Sequence, residues 1–286
     1  MNSSRGVAVV TGASSGIGRE TAILLAGKGF KVLAAARRED RLKALAAESE
    51  QIMPFPVDLA AEGPREDFCR LLQRYPEPVS VLVNNAGFSL RGGLEDLSLD
   101  QARGLFELNV FALIRVTQAC LPGMRRLRAG TIVNLSSIVG KFAFPFSGVY
   151  AASKHAVEAI SDALRLEVRP FGIRVITVRP GPIASEFNEV ANRLTGDLLA
   201  RTDPDYRPVY QTYGAGMGKL FSRISIPGAE LIARLIGEAV LSDNPKPVYA
   251  AGPLVEEILD PRTRLDDEAF DQLMSEKTGL QGFRVG

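Results

Sequence analysis

The 286-residue sequence holds a single histidine, His155, and two cysteines, Cys69 and Cys120. A structural zinc site needs four nitrogen or sulfur ligands, so three scattered candidates exclude one. A carboxylate-rich metal site has no motif behind it, and no metal is expected. Two cysteines make no disulfide framework, which fits a reducing compartment and two packed thiols. An excess of one charge sign is missing too: the formal net charge is +1, which leaves no broad basic field for a nucleic-acid backbone. No run of about 18 apolar residues occurs, so no membrane span is expected. The opening Met1-Asn2-Ser3-Ser4-Arg5 leads into an apolar run too short for a signal peptide. Together these absences set the expectation of a cytoplasmic protein. What is present is the composition of a folded chain, 46% hydrophobic and 23% charged.

Short apolar runs alternate with stretches of helical period. The runs 7–11, 31–36, 52–57, 79–84, 131–135, 174–178 and 247–250 read as strands. Segments 16–28, 41–50, 65–74, 100–126, 149–169 and 228–241 read as helices. Strands apolar on both faces suit a parallel sheet covered on each side, and β-α alternation implies right-handed crossovers. The expected fold is a doubly wound, Rossmann-type α/β domain spanning 1–286, with a seven-stranded parallel sheet and ligands at the carboxyl ends of the strands. Two regions break the rhythm. Residues 184–226 contain no clean strand and read as a lid, with Gly214-Ala215-Gly216-Met217-Gly218 as its hinge. Residues from about 253 to 286 read as a C-terminal extension with a charged helix near its end.

The turn between the first strand and first helix is Thr11-Gly12-Ala13-Ser14-Ser15-Gly16-Ile17-Gly18. Glycines there let the backbone approach a pyrophosphate while the helix N-terminus offers unpaired N–H donors, which makes Gly12, Ser14, Ser15, Gly16, Ile17 and Gly18 candidate dinucleotide contacts. The same letters also spell G-x-S-x-G, the nucleophile elbow of serine hydrolases. That chemistry needs a histidine late in the chain, and His155 lies mid-chain in a predicted helix. Beyond the second strand, an NAD(H) site would present a carboxylate to the ribose 2′-OH. Here Ala36 is followed by Arg37 and Arg38, whose guanidinium groups suit a 2′-phosphate, so NADP(H) is expected ahead of NAD(H).

With these motifs assembled, the sequence resembles the short-chain dehydrogenase/reductase family, and within it the steroid- and retinol-dehydrogenase-like branch. The glycine turn looks like that family's TGxxxGxG, Asp58-Leu59 like its adenine-contacting pair, and Asn84-Asn85-Ala86-Gly87 like its NNAG. Pro180-Gly181 looks like its PG turn, with Ser185 where many relatives carry threonine. The resemblance implies that Asp58, Leu59, Asn85, Ala86, Gly87, Pro180, Gly181, Ile183 and Ser185 join the cofactor site. It also implies a catalytic group of Asn109, Ser137, Tyr150 and Lys154, with Asn109 holding a water that relays protons and Lys154 gripping the nicotinamide ribose.

The residues themselves carry part of that chemistry. Tyr150 and Lys154 are i and i+4, so one helix face presents a phenol beside an ammonium. The nearby ammonium and a positive nicotinamide are expected to lower the phenol's pKa from about 10, so that it exchanges protons near pH 7. Ser137 is expected to hydrogen-bond the substrate oxygen. His155, adjacent on the helix, points elsewhere and is expected to be structural. Phe88, Ser89, Leu90, Phe142, Phe144, Pro145 and Phe146 flank these residues and favour a bulky, hydrophobic carbonyl or alcohol substrate. The expected function is NADP(H)-dependent interconversion of a ketone or aldehyde and an alcohol. The alternative is a catalytically silent NADP(H)-binding regulatory protein. Family members pair through helices corresponding to 100–126 and 149–169, so the resemblance implies a homodimer or tetramer.

Overall fold

Along the first strand, β1 (Val7–Thr11), side chains alternate between two cores. Ala8 and Val10 join one apolar cluster and Val7 and Val9 the other, all of them buried. A strand apolar on both faces is stable only when both faces are covered, and this alternation fixes a three-layer arrangement. The computed structural model describes residues 5–187, 191 and 200–285. The strands β1, β2 (Lys31–Ala36), β3 (Ile52–Pro56), β4 (Val79–Asn84), β5 (Gly130–Leu135), β6 (Ile173–Pro180) and β7 (Val248–Ala251) form one parallel sheet in the order β3-β2-β1-β4-β5-β6-β7. Pro54 and Pro56 are tolerated in β3 because it is an edge strand. The order reverses between β1 and β4, which opens the crevice where doubly wound sheets bind ligands.

Helices α1 (Gly16–Gly27) and α2 (Glu39–Ala46) follow the first two strands, and α1 packs on one face against a later helix. The opposite face carries α3 (Glu62–Arg74), a long segment comprising α4 (Leu99–Phe106), a π turn (Glu107–Ala112) and α5 (Leu113–Leu127), and then α6 (Gly148–Val168). Two expected boundaries shift: α2 begins and ends earlier than 41–50, and the uniform helix expected over 100–126 is widened by the π turn. The stretch Leu99–Leu127 is long and apolar enough, by length and composition, to cross a membrane. Its apolar face instead packs on α3 and β4, and Arg115 pairs with Glu66 of α3. It reads as a core helix.

The lid region departs most from expectation. Residues 204–221 form a short 3-10 turn, Pro204–Tyr206, running into helix α7 (Arg207–Phe221). The glycines expected to hinge the lid lie inside α7. A β-carbon on Gly216 would sit 2.1 Å from the Thr278 carbonyl, so that glycine is a packing contact with helix α9 (Asp267–Thr278). The expected hinge is therefore replaced by a helix–helix crossing. Part of the expected lid, residues 188–190 and 192–199, lies outside the described residues. Helix α8 (Glu230–Leu241) covers the sheet beside α1, and the C-terminal extension forms a third apolar cluster with Ile138, Val139 and Leu220.

Candidate active site

The ends of β1 and β4 are tied together by side chains. Thr11 Oγ1 accepts from the backbone N–H groups of Asn85 (3.0 Å) and Ala86 (2.9 Å), and Asn85 Nδ2 donates to the carbonyls of Thr11 (2.9 Å) and Gly12 (3.3 Å). The Asn85 amide thus holds the glycine turn in place. The turn's glycines serve different ends. A β-carbon on Gly18 would lie 2.4 Å from the Gly12 carbonyl, so Gly18 permits close helix–strand packing. Gly16 has φ +53°, a left-handed conformation that favours glycine, and a β-carbon there would lie 3.5 Å from Ser185 Cβ, an ordinary van der Waals contact. Ser15 stands at the N-cap of α1 but its hydroxyl makes no hydrogen bond to the helix N–H groups, and no acidic residue sits in the first turn. The helix N–H groups consequently face the cleft, as an anion site requires.

Beside this turn stand the arginines that end β2. Arg38 is clamped: Nε and Nη2 donate to Ser14 Oγ (3.2 and 3.0 Å), and Nη2 also to Ser15 Oγ (2.7 Å). Its Nη1 reaches Glu186 Oε2 at 2.7 Å, on the segment after β6. Arg37 is exposed at the same cleft wall. Asp58 and Leu59 line the floor, and Asp58 caps its own loop by accepting from Ala60 N–H at 3.0 Å. Buried Arg65 donates to the Leu59 carbonyl at 3.0 Å and pairs with Glu107, which locks that loop to the π turn.

Asn109 lies in the π turn, 2% exposed. Such turns often mark functional sites in helices. Its Oδ1 accepts from Phe88 N–H (3.0 Å), and its Nδ2 donates to the Phe88 carbonyl (3.0 Å) and to Ser153 Oγ (3.1 Å). Both amide protons are committed, so the side chain clamps the segment after β4. On α6, Tyr150 faces the cavity with Ser137 as a hydrogen-bond partner, and the Lys154 ammonium lies 5.9 Å from the phenol ring centroid. Lys154 is 5% exposed and donates to the Leu135 carbonyl at 2.7 Å.

Electrostatics correct the part of one expectation that rested on the Lys154 ammonium. Burial pushes the Tyr150 phenol up to about 12, against smaller downward pulls from Ser137 and the Arg91 charge. The neighbouring ammonium does not bring it toward neutrality, because desolvation outweighs the positive charges nearby. Burial likewise pulls Lys154 down to about 8, opposed by the Glu158 carboxylate one turn away. The pair is therefore set as a protonated phenol beside an ammonium that titrates just above neutral pH. His155 hydrogen-bonds the Ala151 carbonyl through Nδ1 at 2.9 Å, a structural contact as expected.

A cavity of about 1370 Å3 is lined by the glycine turn, Arg37, Arg38, Asp58, Ser137, Tyr150 and Lys154, while Asn109 and Gly18 are not among its lining residues. Its far half is apolar and aromatic. Phe146, held at φ +61°, stacks on Tyr210 with ring centroids 4.0 Å apart and meets Tyr213 edge-on at 5.0 Å. Tyr210 donates to Asp96 Oδ2 at 2.6 Å and accepts from Gly93 N–H, which ties α7 to the loop after β4. Phe88, Phe144, Phe187, Met217 and Phe221 complete the wall. Phe142 and Leu90, expected beside the substrate, are buried in the core. The structure also brings in residues that sequence reasoning did not single out. Arg41 sits one turn beyond Arg38, and Glu186 follows Ser185. The charge of Arg91, four residues past Gly87, opposes the burial-driven rise of both the Tyr150 and Tyr213 phenols. Position relative to known motifs is the only signal the first two carry.

Comparisons with known proteins agree with this geometry. The family model described as short chain dehydrogenase matches residues 6–194. The chain belongs to the short-chain dehydrogenase family. Human retinol dehydrogenase 8 is 33% identical over 257 residues, covering 84% of this chain and 79% of that protein. A short-chain dehydrogenase of known structure from Streptomyces avermitilis is 31% identical, with TM-score 0.74 over 97% of this chain and 98% of that one. Another, from Sphingobium yanoikuyae in complex with NADPH, is 26% identical, with TM-score 0.73 over 95% and 96% of the two chains. In this short-chain dehydrogenase the residues fit a nicotinamide dinucleotide. Gly16 carries no side chain into the cleft, no side chain caps the α1 N–H groups, and Arg37 and Arg38 line the cavity just after β2. Pro180, Gly181, Ile183 and Ser185 form the opposite rim. Gly181 must lack a β-carbon, because one would lie 2.1 Å from the Pro253 carbonyl.

Proposed function

We propose that this oxidoreductase uses NADP(H) to interconvert a bulky apolar ketone or aldehyde and its alcohol. The observation that carries the reading is the continuity of the cavity. An arginine-flanked anion cradle at one end and an aromatic wall at the other meet at Tyr150, Ser137 and Lys154. A bound nicotinamide supplies the hydride to the carbonyl carbon in reduction and takes it back in oxidation. Tyr150, protonated at neutral pH, gives its proton to the carbonyl oxygen, which completes the alcohol. Ser137 holds that oxygen by a hydrogen bond, and the Lys154 ammonium stabilises the phenolate left behind. Asn109 keeps the segment after β4 in register with α6 through Phe88 and Ser153. The NADPH in the Sphingobium relative supports the cofactor choice, and the name of retinol dehydrogenase 8 supports an apolar substrate. Leu99, Phe111 and Leu166, all exposed on α4, the π turn and α6, support pairing with a second copy through those helices.

The test is cofactor oxidation against a carbonyl panel graded in size, from acetone to aryl ketones and retinal-like aldehydes. The expected result is consumption of NADPH in preference to NADH, with kcat/KM rising with apolar bulk. Equal rates with acetone would overturn the substrate reading, and an NADH preference would overturn the cofactor reading.

A further inference from the structure

We propose that Glu186 is a carboxylate strap across the cofactor cleft, one that competes with a 2′-phosphate for Arg38 and Arg41 and so limits the preference for NADP(H) over NAD(H). The inference rests on the NADP(H) reading of the same cleft and gives a specificity-determining role to a residue outside both the glycine turn and the proton-transfer group.

Glu186 comes from the segment after β6, on the side of the cleft opposite the arginines. Its Oε2 accepts from Arg38 Nη1 at 2.7 Å and its Oε1 from Arg41 Nη1 at 2.5 Å. Those two bonds join the end of β2 and helix α2 to the far rim, over the glycine turn on which Arg38 also rests through Ser14 and Ser15. Nearly all of the Arg38 donors are thereby engaged before any ligand arrives. The two arginines hold the Glu186 carboxyl below the usual carboxylate range, so it is ionised at neutral pH.

Charge decides the competition. Within the strap, two guanidinium groups and one carboxylate leave one net positive charge, to which exposed Arg37 on the same cleft wall adds another that Glu186 does not engage through any described ion pair. A phosphate monoester brings between one and two negative charges at neutral pH, matching two free guanidiniums better than a pair already shared with a carboxylate. The 2′-phosphate therefore gains its full set of hydrogen bonds only when Glu186 lets go. A ribose 2′-OH makes no such demand. A carboxylate is the group that ordinarily accepts from that hydroxyl in NAD(H) sites, and the end of β2 offers none. Glu186, reaching in from the other side, tolerates NAD(H) and handicaps NADP(H). Because Arg38, Arg41 and Glu186 are each about 40% exposed, solvent screens the strap and its effect is modest.

Calorimetric titration of the full chain with NADP+, NAD+, 2′,5′-ADP and 5′-AMP tests this without turnover. The expected result for Glu186→Gln is roughly five-fold tighter binding of NADP+ and 2′,5′-ADP, with NAD+ and 5′-AMP unchanged or weaker. Glu186→Asp, too short to bridge both arginines, falls between Gln and wild type. An unchanged or reduced NADP+ to NAD+ affinity ratio in Glu186→Gln, in a wild type that prefers NADP+, overturns the strap and leaves the cofactor reading standing. A wild type with no NADP+ preference, unaltered by Arg38→Ala, overturns both.

Discussion

The glycine turn and the aromatic wall face each other across one cavity, yet they are assembled in different ways. The cofactor half is made of backbone: N–H groups at the start of α1, carbonyls bound by Asn85, and glycines whose missing side chains let strand and helix meet. Most of it comes from one short stretch of chain, held in place by Asn85 from the end of β4. The substrate half is made of side chains from distant segments, with Phe146 before α6, Tyr210 and Tyr213 on α7, and Asp96 after β4. Nothing local fixes their meeting. The first kind of site holds a constant ligand part, and the second is free to vary with the substrate.

The sharpest way to break this contrast is at the point where the halves join. Tyr150→Phe removes the proton donor and nothing of the wall, so kcat for carbonyl reduction should fall by about 10^3-fold with an unchanged melting temperature. Retained turnover would mean the proton comes from elsewhere. Next come two alanine substitutions that create matching backbone clashes in the two halves. Gly18→Ala, with its β-carbon 2.4 Å from the Gly12 carbonyl, should cost about 1–3 kcal/mol of stability and weaken NADP+ binding, both read by thermal denaturation with and without cofactor. Gly216→Ala clashes with the Thr278 carbonyl at 2.1 Å, but it should separate α7 from α9 and raise KM for bulky ketones while leaving NADP+ affinity alone. If both variants lose cofactor equally, the halves are not independent.

The pH profile sharpens the same boundary. Lys154 is charged below its pKa of about 8 and neutral above it, whereas Tyr150, at about 12, stays a phenol throughout. The reduction rate should be flat up to about pH 8 and then decline about tenfold per unit. Glu158 holds the Lys154 pKa up, so Glu158→Gln should move that decline to lower pH. The smallest effect is expected at the wall itself. Phe146→Ala should raise KM for the largest ketones by about five- to ten-fold and leave small ones unaffected, by steady-state kinetics.

The same contrast accounts for how much was legible in the sequence. The parallel sheet, the glycine turn, Asn85, Ser137, Tyr150 and Lys154 were readable because apolar alternation and fixed spacings report local geometry. The effect of Lys154 on the Tyr150 phenol was overestimated because spacing reveals a neighbouring ammonium but not burial, and burial dominates in the protein itself. The glycine-rich stretch 214–218 suggested a hinge because glycine is permissive in isolation, whereas here it lies in a helix crossing another helix 62 residues further along at Thr278. Arg41 and Glu186 carry no motif, since ion pairs between segments 145 residues apart leave no periodic trace.

Sequence alone determined the strands, the glycine turn and the pairing of Tyr150 with Lys154 on one helix face, because each depends on torsions and spacings within a short stretch of chain. Only the tertiary structure decided how deeply Tyr150 and Lys154 are desolvated, which aromatics face the substrate and that Glu186 crosses to Arg38. Those depend on distances between elements remote in sequence, and such distances exist only once both faces of the sheet have been covered.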